Sequence, residues 1–132
     1  LDRSGNVYTV GIFQDSIDAD PSSGVSLLQS NGSGDMFIQK LDENGNFLWA
    51  NSYGGSGIDI ANAIVSDALG NIVVTGVFQD SIQFDSGQTA SLYVSNGSYD
   101  IFILKLDSNG NFMDVKTIGG VGKDIGNTIT IY

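Results

Sequence analysis

Residues 72–78 (IVVTGVF) are rich in β-branched side chains and predict a strand. Their apolar residues fall on both faces: Ile72, Val74 and Phe78 on one, Val73 and Val77 on the other. Residues 7–13 (VYTVGIF) and 101–106 (IFILKL) behave the same way. A strand from a sheet with one wet face would alternate apolar and polar. Residues 60–67 (IANAIVSD) and 112–118 (FMDVKTI) predict two more strands. SIQFD and ASLYVS, within 81–95, predict two short pieces around a Ser-Gly-Gln turn. Further turns are expected at Ala68 to Asn71, Asn96 to Ser98 and Asp107 to Asn111. No segment carries a useful helical period. Sheets that are apolar on both sides, with no helix to cover them, must be covered by other sheets.

The chain supplies those other sheets by repetition. Shifted by 65 residues it matches itself without a gap, and 33 of the 67 aligned pairs are identical. FQDSI at 13–17 returns at 78–82, SNGS at 30–33 returns at 95–98, and NGNF at 44–47 returns at 109–112. Chance does not produce this, so the repeat governs the fold. The fold expected is all-β: a β-propeller segment of two four-stranded antiparallel blades, repeat 1 over 1–65 and repeat 2 over 66–132. A two-sheet sandwich is the competing architecture, but it leaves one face of each sheet wet. Residues 127–132 (NTITIY) read as a further first strand, so the chain is expected to start and stop at one phase of the repeat, between strands one and two. It therefore reads as an excised segment, a processed product or an engineered piece. Two blades cannot close a ring, since propellers use ~4–8. The ring is expected to close through other chains, head to tail, or through repeats outside this sequence.

Composition narrows the chemistry. The 132 residues contain neither Cys nor His. That removes disulfides, thiolate and imidazole metal sites, a Cys nucleophile and a Ser-His-Asp triad. Lys and Arg number 5 against 15 Asp and Glu, a net charge of −10 that opposes nucleic acid and anionic membranes. No apolar run reaches the ~18 residues of a spanning helix, so membrane insertion is not expected.

Several segments carry a family likeness: GNIVVTGVF (70–78), DIFILKLDSNGNF (100–112) and GGSGIDIANAIVSDALGN (54–71), with first-copy partners GNVYTVGIF (5–13) and DMFIQKLDENGNFLW (35–49). In this order they resemble the bacterial SBBP family of seven-bladed β-propeller repeats. The resemblance covers the whole chain. It implies a propeller in secreted or cell-surface bacterial proteins, without an assigned activity, and it brings no catalytic residues to carry over. Two units fall short of that family's full ring.

Candidate sites are few. Asp42, Asn44, Asp107 and Asn109 place hard oxygen ligands at alternate positions, as a calcium loop does, but a third acid and a distal Glu are lacking. The same residues suit hairpin turns in which Asp accepts backbone N–H groups, as the D-x-x-G-N runs at Asp2 and Asp67 also suggest. Asp59 and Asp124 follow Gly-rich bends and offer either a cation site or a cap for backbone donors. Trp49, the one Trp, offers a stacking platform for a sugar or a packing group between blades. Asp15, Asp18, Asp20, Asp80 and Asp85 form an acidic insertion read as solvated. Catalytic residues: none. Beyond calcium, no cofactor is expected.

The reading is a non-catalytic structural or interaction module on the bacterial exterior, assembling with itself or with further blades of a longer chain. The alternative is a glycan-binding, lectin-like propeller with one shallow site per blade. The partners expected are further blades and a surface glycan or protein.

Overall fold

The computed structural model describes residues 1–85 and 91–132, so the Ser-Gly-Gln turn expected at 86–88 lies outside the described residues, as does Ala90 of the second short piece. The described residues hold eleven strands and no helix. In chain order these are β1 (Val7–Phe13), β2 (Ser16–Asp18), β3 (Leu27–Gln29), β4 (Asp35–Leu41), β5 (Phe47–Tyr53), β6 (Ile60–Ser66), β7 (Ile72–Phe78), β8 (Ser81–Gln83), β9 (Leu92–Val94), β10 (Asp100–Leu106) and β11 (Phe112–Ile118).

Two antiparallel sheets form the body. The first runs β1-β4-β5 and the second β6-β7-β10-β11. Hairpins β2-β3 and β8-β9 are the insertions of the two repeats. The 65-residue shift maps β1 on β7, β4 on β10 and β5 on β11, and it also carries the registers across. Val10 pairs with Ile38, as Thr75 pairs with Ile103. Each third strand departs from its fourth by one shift at the same place, Lys40/Leu41 and Lys105/Leu106.

The core lies between the sheets. Met36 and Ile38 of the first pack on Ile72, Val74, Phe78, Phe102, Leu104, Leu106 and Val115 of the second. Tyr8, Val10, Trp49 and Tyr53 close its margin. The face-to-face stacking of successive antiparallel sheets by one repeating unit is the architecture of a propeller segment. Phe84, at the foot of the second hairpin, is buried beside four rings: Phe102, Tyr93, Phe78 and Tyr53, with centroids 5.1–6.3 Å away.

As expected of a chain that starts between strands one and two, the first blade holds strands two to four, and among the described residues β1 pairs with no strand on the edge away from β4. One expectation is corrected. Residues 127–132 form no strand. Their alternation suits one, but a strand exists only where an edge meets it, and none does here. Gly126, just ahead of the segment, lies against the face of the second sheet that bears Ile101 and Thr75. A Cβ on Gly126 would reach Ile101 Cγ2 at 2.8 Å and Thr75 Oγ1 at 2.9 Å, and the Gly126 carbonyl accepts the Asn62 amide at 2.8 Å. Leu1, Ser66 and Ile131, each 65 residues from the next, line one cleft of about 570 Å³. The innermost positions of the repeat thus converge on a common line.

Candidate functional site

Four turns share one design. Asp42 Oδ1 accepts the N–H groups of Asn44 and Asn46, both at 2.8 Å, and its Oδ2 accepts the Asn46 amide at 2.7 Å. Asp107 repeats this with Asn109 at 2.8 Å and Asn111 at 2.9 Å. Asp2 and Asp67 do the same toward Asn6 and Asn71. The glycine before each terminal Asn has φ between 80° and 84°. The Asn46 and Asn111 side chains, with the backbone bonds, hold the Asp42 and Asp107 carboxyls below the usual range. Both oxygens of each carboxylate are thus engaged by N–H donors, and a Ca²⁺ ion needing 6–8 oxygens would have to displace them. Among the described residues, no group of three or more acidic side chains is arranged to hold a metal ion.

Asp59 and Asp124 close the loops that lead from one blade to the next. The Asp59 N–H donates to Gly34 O at 2.8 Å, and its carboxyl accepts Gly55 N–H at 2.9 Å and Gln79 N–H at 3.4 Å. Burial pushes it up to about 7 despite those bonds, and the charges of Asp35 and Asp80 act in the same direction. Asp124 repeats the geometry toward Tyr99 O at 2.9 Å and Gly120 N–H at 2.8 Å. Beside these loops Asp35 and Asp100 are buried, each with one carboxyl oxygen lacking a hydrogen-bond partner. A Cβ on Gly54 or Gly119 would overlap those carboxyls, which explains the glycine at both positions.

Trp49 is turned into the joint between blades. Its Nε1–H donates to Ser108 O at 3.2 Å, and its ring meets Tyr8 edge-on at 6.3 Å. Lys40, only 7% exposed, donates to the same Ser108 carbonyl at 2.9 Å. The Asn51 amide donates to Gly110 O at 2.9 Å. Three donors of the first blade thus grip the β10–β11 turn of the second. Trp49 thus stands half-buried as a packing group of the joint. Sequence reasoning missed Lys40, Asn51 and Ser108. The retention of lysine at 40 and 105 was the available signal.

The acidic insertion does not gather into a site. Asp15 and Asp80 occupy the left-handed region at φ 57° and 62°, and their carbonyls accept Ser30 and Ser95 N–H. Asp18 accepts Ser26 N–H at 2.9 Å and Asp20 N–H at 3.1 Å. Asp85 instead lines a cleft of about 760 Å³ with Asn51, Tyr53, Gln83 and Asn111. Burial pushes the Tyr53 hydroxyl up to about 12.

The other feature able to act is the bare edge of β1. In the second blade the equivalent edge, on β7, is filled by β6, with Ile60 opposite Val77 and Ser66 opposite Ile72. The register shifts at Asn62, and there a Cβ on Gly76 would overlap the Ile60 carbonyl. Gly11 keeps that glycine on β1, where among the described residues no strand is hydrogen-bonded to the edge.

No family model matches the chain. It is 29% identical over 94 residues, 61% of its length, to an uncharacterized WD repeat-containing protein of Acanthamoeba polyphaga mimivirus. It spans 7% of that protein's length. The likeness reaches the level of a repeat, propeller-like protein, and the motifs quoted above alone carry the finer resemblance to SBBP repeats.

Proposed function

We propose that the chain is a non-catalytic interaction module whose binding surface is its own unfinished ring. The observation that carries this is the bare edge of β1 together with residues 125–131, the 65-residue echo of β6. Transferred by the repeat, the β6–β7 register sets Ile125 opposite Ile12, Gly126 opposite Gly11, Thr128 opposite Val10 and Ile131 opposite Val7. Asn127 takes the place of the bulged Asn62. The C-terminal segment of one copy thus completes the first blade of the next, and heterologous contacts of this kind close into rings. The likeness to a WD repeat protein supports an interaction module over an enzyme. The SBBP motifs and the small share of charged residues, 15%, support a place on the outside of a bacterial cell. Native mass spectrometry tests the assembly: about three or four chains, hence six or eight blades, are expected. A folded monomer at every concentration overturns it.

The second reading is a glycan site in the Asp85 cleft, favoured by the polar groups of Asn51, Gln83 and Asp85 that line it beside Tyr53. A glycan array is expected to show no binder. A specific sugar held at millimolar affinity or better reverses the ranking.

A further inference from the structure

We propose that Glu43 of one copy docks against Lys105 and Lys116 of the next, and that this charged contact distinguishes the joint between chains from the joint within a chain. The inference rests on the head-to-tail reading above and names the side chains that make its contact specific.

Within the chain, Lys40, Trp49 and Asn51 grip the turn at Ser108 and Gly110. One repeat further on, the gripping positions are Lys105, Asp114 and Lys116. The turn they would grip is supplied by the next copy, where Glu43 stands for Ser108 and Gly45 for Gly110. The lysine at 40 and 105 is kept while the other positions change together: Trp to Asp, Asn to Lys, Ser to Glu. A joint that holds one lysine and an aromatic ring inside the chain becomes one with two lysines and two further carboxylates outside it. Two of the chain's five cations meet Asp42 and Glu43 there.

In the single chain Glu43 and Lys116 are exposed and Lys105 is half-buried, beside Asp67. Gly110 is buried, and a Cβ on it would lie 3.1 Å from the Trp49 ring. Gly45 is exposed, and a Cβ on it would meet nothing within 4 Å. Lys116 is exposed and, among the described residues, pairs with Asp114 of its own strand at 3.2 Å, with both side chains more than half exposed. The apolar surface beside it continues outward through Ile118, 55% exposed, as the equivalent Tyr53 continues the inner joint. The intact interface between the blades is thus the template for the open one, and the charges at the two open ends are opposite in sign.

The test uses the whole chain and three variants: Glu43→Lys, Lys116→Glu and the two together. Both positions are exposed, so folding is preserved, as far-UV circular dichroism will show. Sedimentation over a concentration series reads the assembly. Each single variant is expected to weaken the joint about three- to tenfold, and the double variant to return to near the wild-type value. High salt is expected to narrow the differences. If the wild-type chain assembles and the single variants match it, or the double variant fails to recover, the charge pairing is overturned while the head-to-tail reading stands. If the wild-type chain never assembles, both fall.

Discussion

Phe84→Ala tests whether the insertion hairpin is part of the core. Phe84 is 1% exposed, and its ring lies 5.1 Å from Phe102, 5.7 Å from Tyr93, 6.2 Å from Phe78 and 6.3 Å from Tyr53. Truncating a buried Phe costs about 3–5 kcal/mol, from lost transfer energy and the cavity left behind. The upper half of that range is expected, because four aromatic partners lose an edge or face contact and rigid strands on both sides limit collapse. The first repeat carries Ala19 at this place, over Gln39 instead of Leu104, so the loss belongs to the second blade alone. Urea unfolding followed by the fluorescence of Trp49 reads it directly, since that single Trp lies in the same joint. With a slope of about 2 kcal/mol per molar, the midpoint falls by roughly 2 M. A loss below about 1 kcal/mol would refute the reasoning, because it would mean the hairpin does not seat its ring between the sheets.

Asp59 makes stability fall with rising pH. Its folded pKa, about 7, exceeds the 3.8 of an unperturbed Asp, so the fold binds the extra proton between those values and loses stability across pH ~4–7, by a few kcal/mol. Asp35, raised by burial, adds to this with the same sign. The lowered carboxyls of Asp42, Asp67 and Asp107 act oppositely, below the ordinary Asp range. Thermal melts at pH 5 and pH 8 are expected to differ in wild type and to differ less in Asp59→Asn, where Asp35 still contributes; an unchanged difference would rule out this source. Thr128→Pro removes an N–H from the segment that would fill the β1 edge, so the mass should drop to one chain while far-UV circular dichroism stays unchanged. Asp107→Ala strips three accepted bonds from its turn and is expected to lower the midpoint in the same urea assay, whereas millimolar calcium should leave the wild-type midpoint where it is.

The strands were legible wherever side chains decided them. IVVTGVF and IFILKL announce buried strands, and the 65-residue shift carries each element from one copy to the other. The D-x-x-G-N turns were equally legible, because their carboxylates act on their own backbone. NTITIY was misread for the complementary reason: alternation records a preference, and the missing ingredient was an edge to lie against. The blade joint was invisible for a third reason. Lys40 and Ser108 lie 68 residues apart and meet only through the stacking of the two sheets, which no local pattern encodes. Trp49 showed that a large ring was to be placed but not on which side of the sheet.

The convergence of Leu1, Ser66 and Ile131 gives an assembled ring a wall that can be rewritten one residue at a time. Ser66 closes β6 at that shared cleft, so in such a ring a replacement there would appear once per copy. A circle of carboxylates or of aromatic faces could be installed in this way while the strand pairings around it stay as they are.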